Sequence, residues 1–351
     1  MNPIPKIMRG VWLTGHGGLD KLEVRNDIPV PQPTANDVII RVSAAGVNNT
    51  DINTRTGWYS KGDAASDDAG WSGEPIGFPR IQGIDVCGTI AAVGENISKE
   101  RIGERVLVEP CLREVNGETL SQPWFFGSEC DGGFAEFTVV ASRHAHKIES
   151  NLTGVELASF PCSYSTAENM LTRAKVMRGD IVLVTGASGG VGSAAVQLAK
   201  ARGAEVVAVT SASKSSDLIA LGATTTVARG DSLTEMPGQN SIDAVIDLVA
   251  GEQFPELLEV LKPGGRYAVA GAIAGPLVDL DVRTLYLKDL SFFGCTALEP
   301  EVFPNLIRLI ENGSIRPLVA HALPLDQIAK AQETFLEKQY VGKIVLQVDT
   351  Q

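Results

Sequence analysis

The stretch Ile181-Val-Leu-Val-Thr-Gly-Ala-Ser-Gly-Gly-Val-Gly192 decides the fold class of this chain. Four β-prone apolar residues run directly into glycines, and the helix-forming segment Ser193-Ala-Ala-Val-Gln-Leu-Ala-Lys200 follows. This order predicts a strand, a tight turn and a helix, whose first N–H groups are free to bind a pyrophosphate. A second strand, Glu205-Val-Val-Ala-Val-Thr210, follows at the spacing of a dinucleotide-binding βαβ unit. The alternative is an ordinary strand-to-helix turn that needs glycine for packing.

The glycine turn and the end of the second strand supply the candidate cofactor ligands. An NAD site usually has Asp or Glu at this strand end, where its carboxylate accepts from the ribose 2′-OH. This chain has Thr210-Ser-Ala-Ser-Lys214 instead, which offers hydroxyls and a cation to a 2′-phosphate and therefore favours NADPH. The alternative for Lys214 is a solvated lysine at a helix start. The predicted ligands are Gly186, Ser188, Gly189, Gly190, Val191, Gly192, Thr210, Ser211, Ser213 and Lys214.

Composition limits the classes to which the chain can belong. A length of 351 residues suggests two domains, and a net charge of −12 argues against binding to nucleic acid or an anionic membrane. The N-terminus lacks the apolar core of a signal peptide, and no apolar run is long enough to span a bilayer. Five scattered cysteines do not form a disulfide framework. We therefore expect a cytoplasmic protein that acts on a small molecule.

The pattern of apolar residues changes along the chain. Up to about residue 150, short β-like runs alternate with turns, whereas from about residue 155 helices and strands alternate as in a doubly wound parallel sheet. Two segments, residues 60–77 with Trp71 and residues 112–129, have the composition of long loops. We interpret the first as a lid over the active-site mouth, with a passive surface insertion as the alternative.

The glycine pattern also fits the short-chain dehydrogenases, but that family places it near the N-terminus and needs a Tyr-x-x-x-Lys motif. None of the five tyrosines here is followed by lysine at that spacing. The order of motifs instead resembles the medium-chain dehydrogenase/reductase superfamily over nearly the whole chain. The matching segments are Ala45-Gly-Val-Asn-Asn-Thr-Asp51, Gly83-Ile-Asp-Val-Cys-Gly88, Ile102-Gly-Glu-Arg-Val106, Gly132-Gly-Phe-Ala-Glu136, Cys162-Ser-Tyr-Ser-Thr-Ala167, the glycine turn and Gly342-Lys-Ile-Val.

The resemblance implies an α/β fold in which a Rossmann doubly wound parallel sheet interrupts a GroES-like, mainly-β catalytic domain. The implied catalytic domain comprises residues 1–155 and 299–351, and the implied Rossmann domain comprises residues 156–298. The superfamily also implies a homodimer, formed through the edge strand Leu290-Ser-Phe-Phe-Gly-Cys-Thr296.

Zinc decides the chemistry within that superfamily. The positions of the three catalytic zinc ligands hold Asn48, Ile84 and Cys162, and one ligand of three cannot hold the metal. Only Cys111 and Cys130 could contribute to the four-cysteine structural site, and they lie far apart. His144 and His146, on a predicted strand, are interpreted as a surface pair. The resemblance therefore implies no metal.

Within the zinc-free branch of the superfamily, the chain resembles quinone oxidoreductases and enone reductases. The matching segments are Gly46-Val-Asn-Asn-Thr-Asp51 and Arg55-Thr-Gly-Trp-Tyr59. Hydride addition to a conjugated carbonyl spreads charge into an enolate, which a few hydrogen-bond donors can stabilise. The implied catalytic residues are Asn48, Tyr59 and Thr166, with Thr166, Gly271 and Lys343 beside the cofactor. The alternatives are purely structural: Asn48 caps a turn, Tyr59 packs against its neighbours, Thr166 lies at a helix start and Lys343 is a solvated charge on a strand.

Three functions remain open at this stage. The leading hypothesis is an NADPH-dependent, zinc-free oxidoreductase that reduces quinones or α,β-unsaturated carbonyl compounds. The second is a carbonyl or alcohol oxidoreductase that works without zinc, and the third is a catalytically idle NADPH-binding protein.

Overall fold

The computed structural model describes residues 3–60 and 75–348, so most of the predicted lid, including Trp71, lies outside the described residues. The chain divides into two compact units. The first holds the described residues up to Cys162, the segment Pro317–Gln339 and the residues from Lys343 onward. The second holds Ser163–Arg316 and Tyr340–Gly342.

The described strands are, in chain order, β1 (Ile7–Leu13), β2 (Leu22–Pro29), β3 (Asp37–Val47), β4 (Asp85–Val93), β5 (Arg105–Val108), β6 (Cys111–Val115), β7 (Glu118–Phe125), β8 (Phe137–Ala141), β9 (Ala145–Lys147), β10 (Ile181–Val184), β11 (Glu205–Thr210), β12 (Thr225–Ala228), β13 (Ile242–Asp247), β14 (Leu261–Val269), β15 (Ser291–Gly294), β16 (Val319–Pro324) and β17 (Lys343–Gln347). The described α-helices are α1 (Asn49–Thr56), α2 (Gly154–Leu157), α3 (Pro161–Arg173), α4 (Gly190–Ala201), α5 (Ser215–Leu221), α6 (Phe254–Val260), α7 (Val282–Leu287), α8 (Val302–Glu311) and α9 (Ile328–Glu337). Among these helices, none has both the length and the apolar character needed to cross a membrane.

A mainly antiparallel sheet of seven strands forms the centre of the first unit. Its order is β16-β17-β3-β4-β5-β9, and β8 pairs with β3 as well. The register sets Ile344 of β17 opposite Val47 of β3, and Gly46 of β3 opposite Asp85 of β4. The C-terminal strand therefore meets the same end of β3 that leads into α1.

A six-stranded parallel sheet forms the centre of the second unit, in the order β12-β11-β10-β13-β14-β15. The chain order reverses between β10 and β13, and this switch point is where doubly wound sheets bind dinucleotides. Buried apolar residues from the strands and from α6, among them Leu183, Val207, Val245 and Leu257, fill the core. The predicted α/β class, with a doubly wound parallel sheet in one unit and a mainly-β sheet in the other, is confirmed.

Residues 112–129 do not form the predicted long loop. They make most of an antiparallel hairpin in which β6 pairs with β7. Asn116 and Gly117, with φ of 52° and 79°, connect the two strands. An Asn-Gly pair is the preferred sequence for such a two-residue hairpin turn, and the polar composition of the flanking strands masked this signal.

The boundaries between the two units differ from the predicted domain boundaries. The boundaries fall after Cys162 and before Pro317 rather than near residues 155 and 299. Helices α3 and α8 pack within the second unit, where Asn305 Nδ2 donates to Glu168 Oε1 at 2.5 Å and Asn169 Nδ2 donates to the Ala297 carbonyl at 3.1 Å.

Candidate active site

The glycine turn connects β10 to α4, and two of its glycines are required by geometry. Gly186 has a φ of 55°, in the left-handed region that favours glycine. A Cβ on Gly192 would lie 2.3 Å from the carbonyl oxygen of Gly186, so the helix packs against the turn with no room for a side chain. Gly189 precedes α4, and no side chain caps its first turn. The first N–H groups of α4 thus have no intrahelical partner and can bind an anion.

A buried carboxylate, Asp247, anchors this turn from the end of β13. Thr185 Oγ1 donates to Asp247 Oδ1 at 2.6 Å, and the Tyr267 hydroxyl donates to Oδ2 at 2.5 Å. The backbone N–H groups of Val249 and Ala250 donate to the same carboxylate. Burial and the Asp247 charge both raise the pKa of Tyr267, which keeps its hydroxyl a donor.

Sequence reasoning missed Asp247 and Tyr267 as parts of the site, although an acidic residue at the end of an apolar strand was a visible signal. The predicted ligand Gly271 lies against this same loop. A Cβ there would approach the Leu248 carbonyl oxygen to 2.7 Å, so Gly271 is needed for close backbone packing.

The end of β11 carries the predicted 2′-phosphate ligands. Thr210 is buried, and no other described residue hydrogen bonds to its Oγ1. The hydroxyls of Ser211 and Ser213 lie 3.2 Å apart. Lys214 is half-buried just before α5.

A second cation, missed in the sequence, lies at the end of the neighbouring strand. The Arg229 N–H donates to the Thr210 carbonyl at 2.8 Å, and its side chain is exposed. Burial lowers the pKa of the Lys214 ammonium, and the positive charge of Arg229 lowers it further. The two cations are therefore close enough to repel one another, as they would around a shared anion. Arg229 was missed because strand pairing, not spacing, brings it to Lys214.

In the first unit, Asn48 belongs to a buried polar network. Its Nδ2 donates to Asp85 Oδ2 at 2.8 Å, and its Oδ1 accepts from Lys343 Nζ. Lys343 Nζ lies 2.7 Å from Asp85 Oδ2. Asp85 Oδ1 accepts the N–H of Cys162 at 2.6 Å. The amide predicted to face the substrate is thus occupied at both ends by protein groups.

Asp51 joins the network to the start of α1. Its Oδ2 accepts the N–H of Asn48 at 2.7 Å, and its Oδ1 accepts the N–H of Gly83 at 3.2 Å. Burial raises the pKa of Asp51 to about 7; the charge of Asp85 adds to the rise, whereas the Asn48 N–H and the Lys343 ammonium oppose it. Asp51 therefore orients the loop that leads into α1.

The residues at the three zinc-ligand positions do not fit a zinc ion. Asn48 is engaged with Lys343 and Asp85, Ile84 is a buried apolar side chain, and only Cys162 keeps a thiol. Among residues 3–60 and 75–348, no group of three or more His, Cys, Asp or Glu side chains is arranged to hold a metal.

The prediction of a surface pair at His144 and His146 was wrong. His144 is buried, and its Nε2 accepts the N–H groups of Arg113 and Glu114 at 3.0 and 3.2 Å. Its Nδ1 therefore carries the proton and donates to Glu109 Oε2 at 3.1 Å, and His146 Nε2 lies 3.1 Å from the same oxygen. Glu109, which directly follows β5, thus binds both the buried His144 and the partly exposed His146.

Tyr59 lies three residues beyond the end of α1. Its hydroxyl accepts a long hydrogen bond from Asn53 Nδ2 at 3.5 Å, and its ring makes an edge contact with Trp58 at 5.4 Å between centroids. Burial raises the pKa of Tyr59 to about 12, so the hydroxyl stays protonated at neutral pH. Thr166 lies in α3 within the second unit and is half-buried.

Comparison with known proteins agrees with this architecture. Residues 34–150 match the alcohol dehydrogenase GroES-like domain, and residues 190–312 match the zinc-binding dehydrogenase family. The acryloyl-coenzyme A reductase of Metallosphaera sedula is 31% identical over 350 residues, covering 97% of this chain and 99% of the relative. The chain belongs to the medium-chain dehydrogenase/reductase superfamily.

Within that superfamily, further relatives indicate the quinone oxidoreductase-like branch. Human quinone oxidoreductase is 29% identical over 355 residues, covering 97% of this chain and 98% of the relative. A solved structure from Sinorhizobium meliloti 1021, which carries a provisional alcohol dehydrogenase name, is 44% identical with a TM-score of 0.89, covering 99% of this chain and 98% of that one. The medium-chain dehydrogenase/reductase assignment made from motif order is confirmed.

Proposed function

We propose that this protein is an NADPH-dependent, zinc-free oxidoreductase that reduces quinones or α,β-unsaturated carbonyl compounds. The observation that carries the proposal is at the first ligand position, where the Asn48 amide is bonded to the Lys343 ammonium and the Asp85 carboxylate. Without a Lewis acid, the favoured substrate is one whose negative charge delocalises as it forms. Relatives named quinone oxidoreductase and acryloyl-coenzyme A reductase support this substrate class.

The cofactor side of the proposal rests on the second unit. The uncapped start of α4 offers N–H groups to the pyrophosphate, and Lys214 and Arg229 offer charge to a 2′-phosphate. No carboxylate lies in the segment Thr210–Lys214 to repel that phosphate. When bound, the nicotinamide supplies the hydride, and Thr166 is proposed to contact it. These residues favour NADPH over NADH.

Tyr59 is the proposed donor to the developing enolate. The Asn48 amide is engaged with Asp85 and Lys343, so it is less suited to the donor role than the sequence suggested. The Tyr59 hydroxyl accepts a long hydrogen bond from Asn53 Nδ2 at 3.5 Å, and its raised pKa of about 12 keeps the proton in place. Tyr59 or a water molecule then protonates the α carbon.

The solved structure from Sinorhizobium meliloti favours one alternative, because its provisional name is alcohol dehydrogenase. A zinc-free alcohol oxidoreductase would reduce aldehydes or isolated ketones with NADPH. A catalytically idle protein would bind NADPH and reduce nothing.

One assay separates the three functions. NADPH and NADH consumption is followed with 1,4-naphthoquinone, an alkyl enone, acryloyl-CoA and a saturated aldehyde, with and without EDTA. We expect turnover of the conjugated acceptors, a preference for NADPH and no effect of EDTA. Turnover of only the saturated aldehyde would support the alcohol oxidoreductase. Loss of all activity in EDTA, restored by zinc, would overturn the zinc-free proposal.

A further inference from the structure

The loop that follows β13 contains a strained residue, Ala250. Its φ of 54° and ψ of −138° form a combination that a residue with a side chain rarely adopts and that glycine adopts freely. Ala250 is buried, at 8% exposed. A strained conformation of this kind persists only where the surrounding structure holds it in place. The contacts of Ala250 therefore identify the group that holds it.

That group is the Asp247 carboxylate, which is fully buried. The Ala250 N–H lies 3.2 Å from both carboxylate oxygens, and the Val249 N–H donates to Oδ1 at 2.9 Å. The Thr185 hydroxyl donates to Oδ1, and the Tyr267 hydroxyl donates to Oδ2. Because donors surround both oxygens, the amide NH2 of an asparagine would face a donor at either position. A carboxylate accepts at both.

Residues 248–250 lie against the glycine turn. A Cβ on Gly186 would be 3.1 Å from Val249 Cγ2 and 3.8 Å from Leu248 Cβ. The Leu248 N–H donates to Thr185 Oγ1 at 2.9 Å, and Thr185 directly precedes Gly186. A shift of residues 248–250 would therefore disturb the turn that leads to the candidate pyrophosphate ligands.

We propose that Asp247 is a positioning residue for the dinucleotide. Its carboxylate holds Ala250 in the positive-φ conformation, and this fixes residues 248–250 against the glycine turn in the shape that accepts a pyrophosphate. The strain at Ala250 keeps the turn preorganised before the cofactor arrives. That the ligand is NADPH rests on the proposed function, whereas the hold of Asp247 on Ala250 does not.

The test combines Asp247→Asn with Ala250→Gly. Glycine adopts the conformation of residue 250 without being held, so it should compensate for a weakened acceptor at residue 247. Ala220→Gly is the matched control, because Ala220 is exposed on α5 and has no positive φ. Asp279→Asn controls for the loss of an exposed carboxylate charge in the same unit.

Three quantities are measured for each variant: the Kd for NADPH and for NADH, the urea midpoint of unfolding, and amide hydrogen exchange at Leu248 and Ala274. The Leu248 amide donates to Thr185 Oγ1, and the Ala274 amide donates to the Val249 carbonyl at 2.9 Å. Neither acceptor is altered in the variants. The two amides therefore report whether residues 248–250 stay in place.

We expect Asp247→Asn to weaken the Kd for NADPH and for NADH by about tenfold each, because both cofactors carry the pyrophosphate. Exchange at the Leu248 and Ala274 amides should accelerate by about tenfold or more. Adding Ala250→Gly should restore most of both properties, whereas adding Ala220→Gly should restore neither. Asp279→Asn should leave both as in the wild type.

On its own, Ala250→Gly should keep or raise the urea midpoint, whereas Ala220→Gly should lower it, because glycine weakens a helix interior. This comparison decides the matter even if Asp247→Asn does not fold. An equal fall of the midpoint in the two glycine variants overturns the proposal, and so does a Kd that Ala250→Gly fails to restore in the Asp247→Asn background.

Binding by the wild type separates this inference from the proposed function. If the wild type binds neither NADPH nor NADH, the proposed function fails, and amide exchange then decides the inference. Recovery of slow exchange at Leu248 in Asp247→Asn/Ala250→Gly would support the hold on Ala250, and exchange as fast as in Asp247→Asn would overturn it.

Discussion

At the scale of single residues, the proposed cofactor choice and proton donation rest on the side chains of Lys214, Arg229 and Tyr59. Lys214 and Arg229 are presented at the carboxyl ends of β11 and β12, and the Ser215 hydroxyl lies 2.6 Å from Thr226 Oγ1, which ties the start of α5 to β12. We expect Lys214 and Arg229 to act together on one phosphate, because the charge of Arg229 acts on the Lys214 ammonium. The Tyr59 hydroxyl also depends on its surroundings, because burial raises its pKa and keeps it protonated.

We predict that Lys214→Ala and Arg229→Gln each weaken NADPH binding by about tenfold, the loss expected for one charge-assisted hydrogen bond. NADH affinity should not change, because NADH has no 2′-phosphate. Fluorescence titration measures both constants. Arg178→Gln is the control, since Arg178 is exposed and precedes β10, at the amino ends of the parallel strands rather than at their carboxyl ends. Equal affinities of the wild type for NADPH and NADH would contradict the assignment.

Tyr59→Phe should lower kcat by about a hundredfold, the usual cost of losing an acid or an oxyanion donor, without changing the Kd for NADPH. With a pKa of about 12, Tyr59 remains protonated between pH about 6 and about 9. It should therefore add no alkaline limb to the kcat profile over that interval. Tyr286→Phe is the control, because Tyr286 is exposed on α7. Wild-type kcat in Tyr59→Phe would remove Tyr59 from the mechanism.

At the scale of elements, the cluster of Glu109, His144 and His146 connects the segment after β5 to β6 and to the start of β9. Glu109 follows β5 directly, and it binds His144 and His146 at the start of β9. The backbone of β6 binds the other side of His144 through Arg113 and Glu114. Burial raises the pKa of Glu109, but the hydrogen bonds from the two histidines outweigh it and hold the pKa at about 2.

This depressed pKa has a defined effect on stability. A carboxylate with a lowered folded-state pKa stabilises the fold above its unfolded value of about 4.3, and that contribution is lost as the pH falls towards 2. Glu109→Gln should therefore lower the free energy of unfolding by about 1–3 kcal/mol at neutral pH. The difference from wild type should shrink as the pH falls from about 4.5 towards about 2.5.

Urea titrations over that pH range measure the effect. Glu149→Gln is the control, because Glu149 pairs with Lys147 at the surface and should change stability little. A Glu109→Gln deficit of the same size at all pH values would show that the carboxylate charge does not matter.

At the scale of the whole molecule, the second unit leaves one sheet edge and a group of apolar side chains exposed. Strand β15 ends the described six-stranded sheet and pairs there only with β14. Phe292 in β15 is 39% exposed, and Leu277 and Leu287, which precede β15 in sequence, are 90% and 70% exposed. An unpaired edge beside apolar surface is typical of an interface.

We therefore predict a homodimer in which β15 pairs with its symmetry mate. Light scattering at micromolar concentration should give twice the chain mass. Leu287→Asp should shift the equilibrium towards the monomer, since it adds a charge to that apolar surface. Met177→Asp, at an exposed apolar position away from β15 in sequence, should leave the dimer intact. A monomeric wild type would refute the prediction.

The sequence by itself determined the βαβ unit, the alternation of helices and strands in the second unit, and the family. These features are local: the glycine turn occupies a few consecutive positions, and Gly186 and Gly192 are required by backbone geometry that only neighbouring atoms impose. The Asn116-Gly117 turn is also a local signal for a hairpin, although the polar composition around it favoured a loop.

Only the tertiary structure decided what the polar residues do. Asn48 and Lys343 were assigned to substrate and cofactor because each matched a motif, yet strand pairing brings them together on Asp85. Strand pairing also brings the charge of Arg229 near Lys214, and it brings Asp247 within hydrogen-bonding distance of Thr185. A buried charge takes the partner that the fold brings nearest, because leaving it unpaired costs several kcal/mol, about as much as the whole margin of stability. That partner is set by sheet register across distant segments, which no local pattern encodes.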